Sequence, residues 1–241
     1  MKQIIVTSWL RVGSTLVCEI LRSLMQRPIA AEYLDVEREY NSAISDEEKE
    51  KILNLDPQLI KTHCYSAKEL VSVVPKSTTV IAVRRNFYDT IVSYILYNRH
   101  VRLQQGLYID PRIVDVIREN PDMPDDVFVN YLVETKQQWV VDSLKHWNEH
   151  AIAVIASNCI MIDYDEVCDK IPDLVLALNK LVKAKKSIVE LTQEKLAFDK
   201  MQQRYDEGFV RRGIVGGYSK YLDPFTLGFI KRHVNNVNVR H

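Results

Sequence analysis

The opening stretch MKQIIVTSWLRVGSTLVCEIL confines this chain to a narrow set of folds. Ile4 to Val6 is an apolar run that reads as a strand over about 3–8. A short loop follows, carrying Arg11, Gly13, Ser14 and Thr15. The next residues, about 14–26, read as an amphipathic helix with Leu16, Ile20 and Leu24 on one face. A strand feeding a helix through so small a turn is how α/β proteins hold a phosphate. The first N–H groups of the helix have no intrahelical partner, and the helix dipole favours an anion beside them. The loop does not read GxxxxGK[ST], so it is not the nucleotide-triphosphate version of this device.

The rest of the chain continues the alternation. Leu59–His63 reads as a further short strand, and Thr78–Val83 and Cys159–Ile162 as buried strands. Helices are expected over 45–54, over Ser66–Val74 up to Pro75, and after Asn86, whose side chain with Asp89 makes a partial capping box. One long helix is expected from about Asp125 to Ala156, two more over 173–184 and 192–204, and a last one begun by Asp223-Pro224. Strands alternating with helices predict a three-layer α/β fold, a central parallel sheet flanked by helices. The stretch 99–125, with Gly106, Tyr108, Pro111, Pro121 and Pro124, breaks the rhythm. It reads as a lid or acceptor-side excursion within a single domain over 1–241, not as a second domain.

Composition limits the partners. Lys plus Arg and Asp plus Glu both number 32, so no global field attracts nucleic acid. Any anion site must come from local clusters such as Arg84–Arg85 and Arg211–Arg212. The four cysteines, Cys18, Cys64, Cys159 and Cys168, show no ligand spacing and read as reduced thiols. The pairs Glu47–Glu48 and Asp125–Asp126 read as helix-start charges, so no metal is expected. No secretory leader is visible, and no apolar run approaches the roughly 20 residues that span a bilayer. A soluble, cytoplasmic protein is expected.

In a parallel sheet the carboxyl ends of the strands share one edge, where ligands bind. Arg11–Thr15, Lys61 with His63, and Arg85 each follow a strand and are expected to meet there. Ser93, two helical turns beyond Arg85, faces the same side, and the loop Arg211-Arg212-Gly213 can close over them. Two anion pockets suit a ligand phosphorylated at both ends. Taken singly, each of these residues has a plainer reading: a structural histidine, a surface carboxylate, a helix-face serine, a solvated strand end at Arg84.

Together the segments resemble a family, the sulfotransferases that use 3′-phosphoadenosine 5′-phosphosulfate (PAPS). LRVGSTL resembles that family's loop for the 5′-phosphosulfate, and LIKTH its KTH segment. VIAVRRNFYDTIVSY resembles the strand–helix that binds the 3′-phosphate, DYDEV the YED segment, and FVRRGIVGGYSKYL the closing RKGxxGDWK loop. The resemblance implies a P-loop-NTPase-like sulfotransferase fold. It implies PAPS as sulfuryl donor and 3′,5′-bisphosphoadenosine (PAP) as product, with a small-molecule hydroxyl acceptor and no metal. It assigns Arg11, Gly13, Ser14 and Thr15 to the 5′-phosphosulfate. Arg85 and Ser93 fall to the 3′-phosphate, with Arg211, Arg212 and Gly213 closing on it, and Tyr164 and Phe209 lie near the adenine. Arg11 and Lys61 are the candidates for stabilising transition-state charge. The general base is His63 from the KTH segment or Glu32, because RPIAAEYLD resembles a segment of the bacterial trehalose-type branch in which a glutamate has that role. Three positions depart from the pattern: Arg11 replaces a usual lysine, Leu16 a tryptophan, and Gly217-Tyr218 an Asp-Trp pair. Two other readings share the opening loop, a P-loop small-molecule kinase and a nucleotide-binding module without chemistry.

Overall fold

The computed structural model describes residues 3–27, 46, 50, 59–63, 67–103, 106, 109–155, 159–196 and 215–238. Glu32, Cys64, Tyr108, Phe209, Arg211, Arg212 and Gly213 lie outside these residues, as does most of the helix expected over 45–54. The described elements begin β1 (Ile4–Ser8), α1 (Ser14–Met25), β2 (Leu59–Thr62), α2 (Ala67–Val73), β3 (Thr79–Arg84) and α3 (Phe87–Tyr97). They continue through a π-helical turn (Asn98–Arg102), α4 (Pro111–Glu119), α5 (Asp125–Thr135), α6 (Gln137–Ile155) and β4 (Ile160–Asp163). The last are α7 (Tyr164–Val167), α8 (Ile171–Val182), α9 (Lys186–Lys195), a 3₁₀ turn (Gly217–Lys220) and α10 (Pro224–Asn238). The chain divides into two compact units, 1–85 with 149–201 and 86–148 with 202–241.

The first unit holds the sheet. Its four strands run in the order β2-β1-β3-β4, every pair parallel. All of β1 is buried, as a central parallel strand covered on both faces must be. Ile5 stands opposite both Ile60 and Val80, and with Leu70 of α2 these residues form one buried apolar cluster. Each such side chain taken out of water contributes about 1.5–3 kcal/mol. From β1 the chain crosses to β2 on one side, then to β3 on the other. Right-handed crossovers in opposite directions place α1 and α2 on opposite faces, which makes the three layers. The reversal lies at β1 and β3, so the crevice beyond their carboxyl ends is the position for a ligand. On its outer side α1 packs against α8 and α9, where Ser23 Oγ and Thr192 Oγ1 are 2.8 Å apart.

The second unit is helical. Its α3 starts at the expected cap: Asn86 Oδ1 accepts from the Asp89 N–H at 2.8 Å. The irregular stretch after α3 has its own anchors. Buried Arg99 donates to the carbonyls of Pro121 and Met123, pairs with Asp125 at 3.3 Å, and lies over the Phe128 ring. Ile113, Val116 and Ile117 of α4 are buried.

Two expected boundaries move. The single helix expected over 125–156 is two, α5 and α6, broken at Lys136. The Thr135 hydroxyl bonds back to the Tyr131 carbonyl at 2.7 Å, a contact that bends a helix without any proline or glycine to announce it. The helix expected from 192 begins at Lys186 instead. Lys183 adopts a left-handed conformation and stops α8, and Asn179 Oδ1 accepts from the Ala184 N–H at 2.7 Å. That turn is closed in so few residues that α9 follows at once. Among the described residues no helix is long and apolar enough to cross a membrane.

Candidate active site

The loop after β1 is held at both sides by buried Trp9 and Val12. Between them Arg11 takes a positive φ of 63°, a conformation that costs a non-glycine residue about 1 kcal/mol or more and that gathers at functional loops. Gly13 follows at φ 94° as the N-cap of α1. Having no side chain, it gives α1 no capping bond, and the first turn carries no acidic residue. Among the described residues, neither a cap side chain nor an acidic residue of the first turn offsets the positive end of α1, which favours an anion there.

The neighbouring strand brings a cation to that end. Lys61, on β2, donates from Nζ to Thr15 Oγ1 at 2.9 Å, on the first turn of α1. Burial, helped by the charge of Arg11, holds the Lys61 ammonium below its ordinary value. An anion placed there would offset both effects. Cys18, one turn further along α1, is pushed up to about 12 by burial and stays a neutral thiol.

His63 lies just past the end of β2 and is 8% exposed. Its Nδ1 is 3.1 Å from the Ser8 carbonyl and 3.3 Å from Ser8 Oγ. A carbonyl only accepts, so Nδ1 carries the proton and the lone pair belongs to Nε2. Burial, then the charge of Lys61, pushes His63 down to about 3. At neutral pH this imidazole is unprotonated, with its lone pair on Nε2. His150 on α6 is a second buried histidine whose charge bears on His63. Burial pushes it down to about 4, and its Nε2 has no hydrogen-bond partner among the described residues.

The far side of the loop is closed by Tyr164, the first residue of α7. A Cβ built on Gly13 would lie 2.0 Å from Cδ2 of the Tyr164 ring, so only glycine fits there. The guanidinium of Arg85 lies over the same ring, 5.1 Å from its centroid. Burial raises the Tyr164 hydroxyl above its ordinary value, partly countered by Arg85. Arg84, the more exposed arginine of the pair, is matched in register with Asp163 and bonds it at 2.9 Å.

The first unit thus brings together Arg11, Gly13, Thr15, Lys61, His63, Arg85 and Tyr164. Ser14 is buried as the first residue of α1. Ser93 sits half-buried on α3 in the second unit. There Asp89, 4% exposed, carries more than its cap: its two carboxylate oxygens accept from the Gly216 and Tyr218 N–H groups, each at 2.8 Å. Asn86 Nδ2 donates to the same carboxylate at 2.8 Å, and the Tyr88 and Tyr218 rings stack at 5.1 Å. From the sequence Asp89 is legible only as part of the cap, Asp165 only as a member of the DYDEV segment, and nothing there points to Ser8 or His150. A capping box is visible locally, whereas a carboxylate's partners 127 and 129 residues away are not.

The chain matches the sulfotransferase domain over residues 1–237, a span that takes in every candidate residue from Arg11 to Gly213. It belongs to the sulfotransferase domain family. The family read from the sequence is the one it belongs to, and the general chemistry of this sulfotransferase is sulfuryl transfer. The fold agrees. Mouse sulfotransferase SULT7A1 complexed with PAP superposes with a TM-score of 0.62 at 14% identity, covering 96% of this chain and 82% of that one. Retinol dehydratase in complex with androsterone and inactive cofactor PAP gives 0.58 at 16% identity, covering 98% of this chain and 81% of the other. The same enzyme with retinol and PAP gives 0.58 at 14% identity, covering 98% and 82%. No curated protein matches the sulfotransferase sequence. Among its described residues no group of three or more His, Cys, Asp or Glu could hold a metal ion.

Proposed function

We propose that this chain is a cytoplasmic, single-domain, PAPS-dependent sulfotransferase that sulfates the hydroxyl of a small molecule without a metal. The observation that carries the reading is the uncapped N-terminus of α1 with Lys61 bonded to Thr15 across it. The first-turn N–H groups, two hydroxyls, a desolvated ammonium and Arg11 form a donor set for a doubly charged anion, and a phosphosulfate fits it. PAPS would supply an activated sulfuryl group, which passes in line to the acceptor oxygen as PAP leaves.

The residues of this chain then divide the work. Arg11, Gly13, Ser14 and Thr15 hold the 5′-phosphosulfate. Arg11 and Lys61 face the oxygens on which negative charge gathers, which lowers the barrier. Arg11 supplies a fork of donors but gives up no proton at working pH. Arg85 and Ser93, with Arg211, Arg212 and Gly213, serve the 3′-phosphate, and Tyr164 and Phe209 the adenine. His63 takes the acceptor proton on Nε2. The Ser8 carbonyl, bonded to Nδ1, fixes the tautomer that puts the lone pair on Nε2, and Glu32 is the alternative base. The stretch 99–125 borders the acceptor.

The test is an acceptor screen with labelled PAPS and mass detection of an added sulfuryl group, beside binding of PAP and of ATP. Transfer to at least one hydroxyl compound, with PAP bound more tightly than ATP, is the expected result. Mg²⁺-dependent ATP turnover with no sulfuryl transfer would replace this reading with a kinase.

A further inference from the structure

Beside Arg85 stands a carboxylate that the proposed chemistry does not use. Asp165 Oδ1 is 3.5 Å from Arg85 Nε, and the two side chains are only 18% and 13% exposed. Both belong to the first unit. Asp165 is fixed from behind: its N–H bonds to Asp163 Oδ1 at 3.1 Å, and Asp163 Oδ2 accepts from Arg84 Nε at 2.9 Å. Asp163 and Arg84 are also matched across β3 and β4. Arg85 is steadied in turn by the Tyr164 ring beneath it.

The separation is that of an attraction without a locked geometry. A full charge-assisted bond to a carboxylate runs at about 2.7–2.9 Å. An ion pair at this separation in a poorly hydrated place can be exchanged for a closer, charge-assisted bond to a phosphate. When a phosphate arrives, it must take Arg85 from Asp165 and then stand close to a second anion. Both effects act in one direction. Asp165 stabilises the empty site and opposes the filled one, so it weakens binding of any anion at Arg85.

We propose that Asp165 is the exchange partner of Arg85. It holds the guanidinium before the nucleotide's 3′-phosphate arrives, opposes that phosphate once bound, and so hastens departure of the product nucleotide. The inference rests on the assignment of Arg85 to the 3′-phosphate. It gives Asp165 a part in product release, a step that limits turnover in many enzymes, and none in the transfer itself.

The experiment compares PAP with AMP, which lacks the 3′-phosphate, on the full chain, by calorimetry and by dissociation rate. In Asp165→Asn, PAP should bind roughly tenfold more tightly, through slower dissociation, while AMP affinity stays put. Asp165→Ser should tighten PAP likewise, and Asp165→Glu should return it to the original value. PAP affinity unchanged or weakened in both neutral variants, or tightened equally for AMP, would overturn the proposal. Original protein that binds PAP no better than AMP would overturn the Arg85 assignment, and this inference with it.

Discussion

Single residues carry the sharpest expectations. Gly13 combines a left-handed φ with a ring where its side chain would be. Gly13→Ala should destabilise the chain by ~2–4 kcal/mol in urea unfolding and weaken PAP binding. In a Tyr164→Ala background the same change should cost only the backbone part, ~1 kcal/mol, and the double-mutant cycle measures the difference. His63 gives a pH signature. Its ordinary value is 6.5 and its folded value about 3, so between these the unfolded chain binds more protons. Stability from its neutral state is complete above pH 6.5 and is lost as pH falls toward 3. His150, at about 4, adds to the same window. Urea melts from about pH 7 to about 4.5 should show falling stability, with a shallower fall in His63→Gln. His63→Ala should lower kcat by roughly 10²–10⁴-fold, the worth of a general base, with little change in PAP affinity. If Glu32→Ala does so instead, the base is Glu32.

At the scale of elements, the start of α3 is a junction as well as a cap. Asn86, Asp89 and the turn Gly217–Lys220 share one carboxylate. Asp89→Ala removes a buried acceptor from two backbone N–H groups and should cost ~2–4 kcal/mol in urea unfolding. Asn86→Ala, which loses mainly the cap, should cost about 1 kcal/mol. The same elements show what the sequence could reveal. The strands β1 to β3 were legible because a buried parallel strand is predominantly apolar, as IIV, LI and VIAV are, whereas β4, expected to be buried, leaves Ile160 and Met161 exposed. The loop at Gly13 and the cap at Asn86 were legible because both obey local backbone rules. The break at Lys136 and the stop at Lys183 were not, because each uses a residue with no intrinsic preference for it. Within the site, Lys61 and His63 were readable as residues following a strand. The bond from Lys61 to Thr15 and the packing of Tyr164 on Gly13 depend on closure of the sheet, which no local pattern encodes.

For the whole molecule, the chain passes between its two units at 85/86, 148/149 and 201/202, and α6 continues through the second of these points. Because α6 is shared by both units, calorimetry should record one unfolding transition, and two resolved transitions would show that the units melt separately. PAP at about 100 times its Kd should stabilise the fold by about 2.7 kcal/mol, and AMP at the same concentration by less.

The sheet order also sets a timetable. β1 precedes both of its neighbours in the chain, and they lie at Leu59–Thr62 and Thr79–Arg84. β4 joins only after the intervening helices have been made. During synthesis the apolar β1 must therefore wait for distant partners, and no hairpin shelters it meanwhile. Refolding should be slow for the chain's size, because loop closure precedes every strand pairing. The waiting strand is also the segment most exposed to capture by other chains, so a chaperone that shields short apolar strands would act on it first.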